Sequence, residues 1–259
     1  MQPLKELERF KPKIKGLCFD LDDTFTSHGK ITAEAFDSLW KLKASGFTLI
    51  PVTGRPAGWC DHIARFWPVD GVVGENGAFS FFMHQGKRVR IDTLPPEDAR
   101  SARNKLRELR LGIEGAFPGC SFASDQDYRE YDLAIDFCED VSPWAESEVE
   151  RLVRFCESKG AIAKISSIHV NAWFGNYTKI EGIRHFLSSA PKELNLPGFD
   201  ELVFVGDSPN DEPMFHAFQM SVGVANVRPF LGKIKSPPKF ITSRECGSGF
   251  AELSEFLRS

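Results

Sequence analysis

The sequence predicts an α/β protein, a doubly wound parallel sheet carrying a smaller inserted α+β unit. Three observations predict it. Short apolar runs alternate with amphipathic, helix-like segments at both ends of the chain, which implies parallel strands with right-handed crossovers. Several of those runs stop at acidic, hydroxyl or glycine residues, as strands do at the carboxyl edge of an open sheet, where ligands bind. A middle block, residues 83–174, breaks the pattern: hairpin-like strands and two helices, with no acidic cluster at any strand end.

Taken in order, residues 1–13 read as a polar surface arm. Residues 14–19 form a buried strand that stops at Asp20, with Asp22 one residue further on. Thr32 caps a helix reaching Ser45, with Phe36, Leu39 and Trp40 on its inner face and Gly46 as its stop. Strand 47–52 ends at Thr53-Gly54-Arg55-Pro56, and Pro56 suits the first turn of a helix to Phe66. Strand 71–73 ends at Gly74-Glu75-Asn76-Gly77. Hairpin strands cover 79–90, and Pro95-Pro96 opens a charged helix, 97–110, stopped by Gly112. Segment 131–137 alternates with acids, Ser142-Pro143 starts a helix and Lys159-Gly160 ends it, and strands 161–166 and 169–174 close the block. The capping box Thr178-Lys179-Ile180-Glu181 then starts a helix to Ser189. Strand 202–205 ends at Gly206-Asp207-Ser208-Pro209-Asn210-Asp211; strands 221–224 and 239–242 and a helix from Ser248 complete the chain. The expected division is a core of residues 1–82 and 175–259 with 83–174 inserted as a lid.

Composition narrows the function classes. A chain of 259 residues is comfortable for one core plus a lid. Its net charge of −4 mixes both signs, with no basic run for nucleic acid, no apolar run long enough for a membrane and no signal peptide. The six cysteines form no C-x-x-C pair and no zinc spacing; most sit among apolar neighbours, as buried thiols do, and a reducing, cytoplasmic setting is the simplest inference. Oligomeric state is left open, with a monomer compatible.

Asp20 and Asp22 can face one small volume at a strand end. Like charges repel there, so the pair is reasonable if a cation sits between them, or if one is a nucleophile and the other a proton donor. The plain alternative is a turn or cap. An EF-hand loop fails, because Phe25 stands where that loop needs glycine. Thr53 and Asp211 could merely cap the helices that follow them, and Asn210 could merely form a turn. Lys179 falls in a first helical turn, where the helix dipole opposes a cation by roughly 0.3–1 kcal/mol; a bound anion would reverse that sign. Together, carboxylates that favour Mg²⁺ and a hydroxyl, helix-start amides and a lysine that favour phosphate point to phosphoryl transfer.

These residues resemble those of haloacid dehalogenase-superfamily phosphatases. Asp20-Leu21-Asp22-Asp23-Thr24 is similar to the first motif, D-x-D-x-T. Thr53-Gly54-Arg55 resembles the second, Lys179 the third, and Gly206-Asp207-Ser208-Pro209-Asn210-Asp211 the fourth. The resemblance implies Asp20 as a nucleophile that becomes an aspartyl phosphate, and Asp22 as the acid and then the base. It implies Mg²⁺ held by Asp20, the Asp22 carbonyl and Asp207, with Asp211 and Asn210 in support. Thr53, Gly54, Lys179 and Asn210 would bind the phosphoryl group. The insertion resembles the large α/β cap of the sucrose-phosphate, trehalose-phosphate and mannosyl-3-phosphoglycerate phosphatase branch. Arg55, Asn76, His169 and Asn171 are the substrate candidates, the last two sharing one strand face.

The expectation is a Mg²⁺-dependent phosphomonoesterase for a small sugar phosphate or phosphoglycerate derivative. The alternative is a catalytically weak phosphate-binding or regulatory protein that kept the fold. A cysteine phosphatase, a P-loop NTPase and a dinucleotide dehydrogenase are excluded, since C-x₅-R, G-x₄-G-K-[ST] and G-x-G-x-x-G are absent.

Overall fold

The computed structural model describes residues 1–166 and 168–259. The chain opens with β1 (Gln2–Pro3) and a 3₁₀ segment, Leu4–Lys13, followed by β2 (Gly16–Phe19), α1 (Ala33–Ala44), β3 (Thr48–Pro51), α2 (Ala57–Phe66) and β4 (Val72–Gly74). Next come β5 (Phe79–His84), β6 (Lys87–Asp92), α3 (Pro96–Ala116), β7 (Ser121–Phe122), β8 (Asp132–Asp136), α4 (Glu146–Ser158), β9 (Ile162–Ile165) and β10 (His169–Trp173). The chain ends with α5 (Lys179–Ser189), β11 (Leu202–Gly206), α6 (Glu212–Ala217), β12 (Met220–Gly223), β13 (Phe240–Ile241) and α7 (Cys246–Arg258).

The central sheet has six strands in the order β1-β13-β12-β11-β2-β3, every neighbour parallel. Its middle strands are apolar at consecutive positions because both faces are covered. Leu17, Phe19, Val203 and Val205 face one layer with Leu39 of α1 and Phe250 of α7. Cys18, Ile50 and Phe204 face the other, with Ile183 and Phe186 of α5 and Phe215 of α6. A bridge between Val52 and Val73 carries the sheet on to β4, which pairs antiparallel with β5, and β5 with β6. The inserted α+β unit has its own antiparallel sheet, β7-β8-β10-β9, and its own core, in which Leu106, Leu109 and Ile113 of α3 and Leu152 of α4 meet Ile135 and Val170. Among the described residues, no helix is long and apolar enough to cross a membrane.

Four local expectations change. The N-terminal arm is bound: β1 pairs with β13, and Leu4 and Leu7 are buried. Their three-residue spacing continues to Phe10, which meets Phe240 edge-on at 6.1 Å, so one stripe of the 3₁₀ segment is covered. Trp40 is 53% exposed, because the inner stripe of α1 runs through Ala35, Leu39 and Leu42 at helical spacing and Trp40 falls outside it. Helix α3 continues through Gly112 to Ala116, since burial of Leu109 and Ile113 on either side outweighs glycine's cost of about 1 kcal/mol. Helix α4 starts at Glu146, beyond Ser142-Pro143.

Candidate active site

Three strand ends and one helix start converge at the carboxyl edge of the central sheet. Asp20 follows β2 directly, and its amide donates to the Val205 carbonyl at 2.9 Å. Asp207 follows β11, and its amide donates to Asp211 Oδ2 at 3.1 Å. Asp20, Asp207 and Asp211 are buried, and one oxygen from each lies within 4.8 Å of the other two. Lys179, the first residue of α5, reaches Asp20 Oδ1 at 2.6 Å and Asp211 Oδ1 at 3.1 Å. The helix dipole opposes a cation there, and two buried carboxylates more than compensate. The Thr24 hydroxyl donates to Asp207 Oδ1 at 2.9 Å. Asn226 donates to Asp207 Oδ2 at 3.3 Å and to the Asp23 carbonyl at 3.0 Å. The sequence reading missed Asn226; its signal was a polar residue just past the apolar run that forms β12.

The electrostatics follow from this crowding. Burial, with repulsion from Asp211 and Asp22 and against the pull of Lys179, pushes the Asp20 carboxyl up to about 7. Burial, then Asp211 and Asp20, push Asp207 up to about 8. Burial works against the Lys179 ammonium, but Asp20 and Asp211 outweigh it and hold the lysine well above its usual range. An all-oxygen, acid-rich donor set of this kind suits a hard divalent cation.

The second predicted motif lies beside this cluster. Thr53 is buried, its amide donates to Val73 at 2.9 Å, and its hydroxyl accepts the Arg55 amide at 3.0 Å. Arg55 grips Asp22 through Nη2 at 2.7 Å and Nε at 3.1 Å, and stacks 4.6 Å over the Trp59 ring. Asp22 is therefore half-exposed and paired with Arg55 rather than gathered with the three buried carboxylates. Asn76 donates its amide to Thr53 at 3.0 Å, and its side chain lies against Gly54. Asn210 is exposed and accepts the Ser208 hydroxyl at 2.5 Å. In the inserted unit, Asn171 donates to Asp132 at 2.9 Å, while His169 Nε2 lies 2.8 Å from Glu139 without the alignment of a hydrogen bond.

The turn at Glu75–Gly77 sets the height of α5. Gly77 has φ +108, and a Cβ on it would lie 2.1 Å from the Thr178 carbonyl. Gly77→Ala is expected to destabilise the fold by at least about 2 kcal/mol, from overpacking and left-handed strain together. Gly86, at φ +74 with open space around it, provides the control, and Gly86→Ala is expected to cost only about 1 kcal/mol. Urea unfolding of both variants checks this; equal losses would remove the steric argument.

A parallel sheet whose carboxyl edge gathers carboxylates, a lysine and a buried threonine is an α/β fold with a donor set suited to a cation and an anion together. Residues 17–117 match the family described as haloacid dehalogenase-like hydrolase. A provisionally assigned phosphatase of Mycoplasma pneumoniae is 25% identical over 251 residues, covering 83% of this chain and 88% of that protein. A Thermoplasma acidophilum protein shares the fold with TM-score 0.71 at 19% identity, over 94% of this chain and 98% of that one. A subclass IIB sugar phosphatase of the superfamily shares it with TM-score 0.64 at 15% identity, over 93% and 98%. The similarity to haloacid dehalogenase-like hydrolases thus spans residues 17–117, and the fold over nearly the whole chain is shared with those solved structures.

Proposed function

We propose that the protein is a Mg²⁺-dependent phosphomonoesterase acting on a small sugar phosphate or phosphoglycerate derivative through an aspartyl-phosphate intermediate. The observation that carries this reading is the buried Asp20, Asp207 and Asp211 cluster tied to Lys179. Asp20, the Asp22 carbonyl, Asp207 and Asp211 would hold Mg²⁺, which when bound neutralises phosphate charge. Thr53, the Gly54 loop, Lys179 and Asn210 orient the phosphoryl oxygens. An Asp20 oxygen attacks phosphorus, the bond to the ester oxygen breaks, and Asp22 gives that oxygen its proton. Asp22 then takes a proton from water, whose oxygen attacks phosphorus, releases inorganic phosphate and restores Asp20. To serve in this way Asp22 must exchange its Arg55 partner for the substrate, which frees Arg55 for the substrate's own oxygens.

Residues 83–174 act as a lid on the core of 1–82 and 175–259 in this reading, with Asn76, His169 and Asn171 reading the leaving group. The Asn171 amide and the Glu139 carboxylate suit sugar hydroxyls, in keeping with the fold shared with a sugar phosphatase. Six cysteines without a C-x-x-C pair or a zinc spacing fit a cytoplasmic enzyme. The test is phosphate release from an aryl phosphate with and without Mg²⁺, followed by a panel of phosphorylated metabolites. A protein that only binds phosphate would release none.

A second consequence concerns pH. Asp20 and Asp207 are raised from 3.8 to about 7 and about 8, so between those values the folded chain binds more protons than the unfolded chain. Stability of the metal-free protein therefore falls as pH rises through that window and levels off above it, by an amount on the order of a few kcal/mol. Mg²⁺ binds the ionised carboxylates, so it is expected to raise the melting temperature more at pH 8 than at pH 5. Thermal scans at both values check this; an equal shift at each would contradict the assigned ligands.

A further inference from the structure

The junction between core and cap carries a buried carboxylate and a buried guanidinium that the chemistry above does not use. Glu75 is fully buried, at φ +40 beside Asn76 at φ +58, two consecutive non-glycine residues in the left-handed region. Strain of that kind persists only where the surroundings over-determine it. Here the turn aims the Glu75 carboxylate at both units. On the core side it accepts the Ala57 amide, at the start of α2, at 3.0 Å. On the cap side it accepts the Glu130 amide at 3.0 Å and the Tyr131 amide at 2.5 Å. Burial and Asp132 push this carboxyl up to about 8, against the three amides that favour its charge.

Arg129 is the neighbouring residue on the cap side, with only 3% of its side chain exposed. It crosses in the opposite direction. Its Nη1 donates to the Gly54 carbonyl at 3.1 Å, inside the loop that carries Thr53 and Arg55. Asp125 and Asp132, both in the cap, hold the same guanidinium at 3.0 Å each. Asn171 holds Asp132 from β10. The loop is also zipped to the Glu75 turn: the Glu75 amide donates to Arg55 at 3.2 Å and the Asn76 amide to Thr53 at 3.0 Å. The same turn supports the Thr178–Lys179 helix start through Gly77.

We propose that Glu75 and Arg129 are positioning residues, a two-way staple that sets the Thr53–Gly54–Arg55 loop in its working register when the cap is seated. The proposal rests on the phosphatase reading only for its effect on turnover. The staple couples two segments that lie far apart along the chain, 75 residues between Gly54 and Arg129. Loss of Arg129 leaves Asp132 without its ion partner beside the Glu75 carboxyl, and loss of Glu75 leaves the Ala57, Glu130 and Tyr131 amides without their acceptor, so either change loosens both sides.

The test uses the full chain with Glu75→Gln, Arg129→Lys and the double variant. Glutamine keeps the volume but replaces one acceptor oxygen with a donor; lysine keeps the charge but cannot fork to Gly54, Asp125 and Asp132 together. Amide hydrogen exchange is read at Ala57, Glu130 and Tyr131, with β11 as control. Arg129→Lys is expected to speed exchange at Ala57, which Arg129 does not touch, by at least about tenfold, while β11 stays protected. Kinetics on an aryl phosphate with Mg²⁺ should show kcat/KM falling by a similar factor, inorganic phosphate inhibiting less tightly, and the double variant little worse than either single one. Wild-type exchange at Ala57 in Arg129→Lys would overturn the proposal. So would losses that simply multiply in the double variant, or faster exchange that spreads equally to β11. If Glu75→Gln fails to fold, Arg129→Lys alone decides through Ala57. If the wild-type chain cleaves no phosphate ester, the exchange pattern still decides the staple, and only the phosphatase reading falls.

Discussion

Replacing Asp20 by Asn is expected to lower kcat on any phosphate ester by at least about 10⁴-fold while the protein stays folded. The amide keeps the shape of the carboxyl but cannot form an acyl phosphate. The fold survives because the change removes a buried charge that burial, Asp211 and Asp22 already disfavour. Lys179 also keeps Asp211 as a partner at 3.1 Å. Steady-state kinetics and a thermal scan measured together separate the two effects. A turnover within tenfold of wild type would refute Asp20 as nucleophile, and a collapsed thermal transition would make the loss uninformative about chemistry.

Lys179→Met carries the second large effect, and it falls on stability as well as rate. The lysine neutralises two buried carboxylates at once, at 2.6 and 3.1 Å. Removing one partner of a buried pair costs about 3–5 kcal/mol, because the other charges stay behind without compensation. Methionine fills most of the space, so the loss reports charge rather than a cavity. Turnover is expected to fall by about 10²–10³-fold, as when one preorganised donor to a developing charge is lost. The stability loss should be larger at pH 8 than at pH 5. Protonation of Asp20 at the lower pH removes part of the stranded charge. Urea denaturation at the two values is the measurement; losses independent of pH would show that Lys179 contributes by packing alone.

The two variants bear on different parts of one arrangement. Asp20 belongs to the acid cluster and Lys179 to the start of α5, and the Gly77 contact with Thr178 sets their spacing. Mg²⁺ should mask part of the Lys179→Met stability loss, since a second cation neutralises the same carboxylates.

Most of the candidate site was legible because it is local. A buried strand that halts at an acid, a glycine-rich turn and a capping box are written in a few adjacent residues, and the order of apolar runs implied the parallel sheet. Where periodicity was clear but the partner was not, the reading slipped. Leu4 and Leu7 had no visible surface to bury against until β13 and Phe240 closed over them. Gly112 looked like a stop until α3 was found packed on the cap sheet, and Asn226 gained its role only by arriving beside Asp207 from the next strand.

The sequence by itself determined the α/β class, the residues at each strand end and their chemical complementarity, since each depends on neighbours within a few positions. Only the tertiary structure decided that Asp22 pairs with Arg55 rather than joining the acid cluster, and that Glu75 and Arg129 cross between the two units. The physical reason is that a charged side chain chooses its partner by distance and burial in three dimensions. Linear order does not encode those quantities for residues brought together from opposite ends of an insertion.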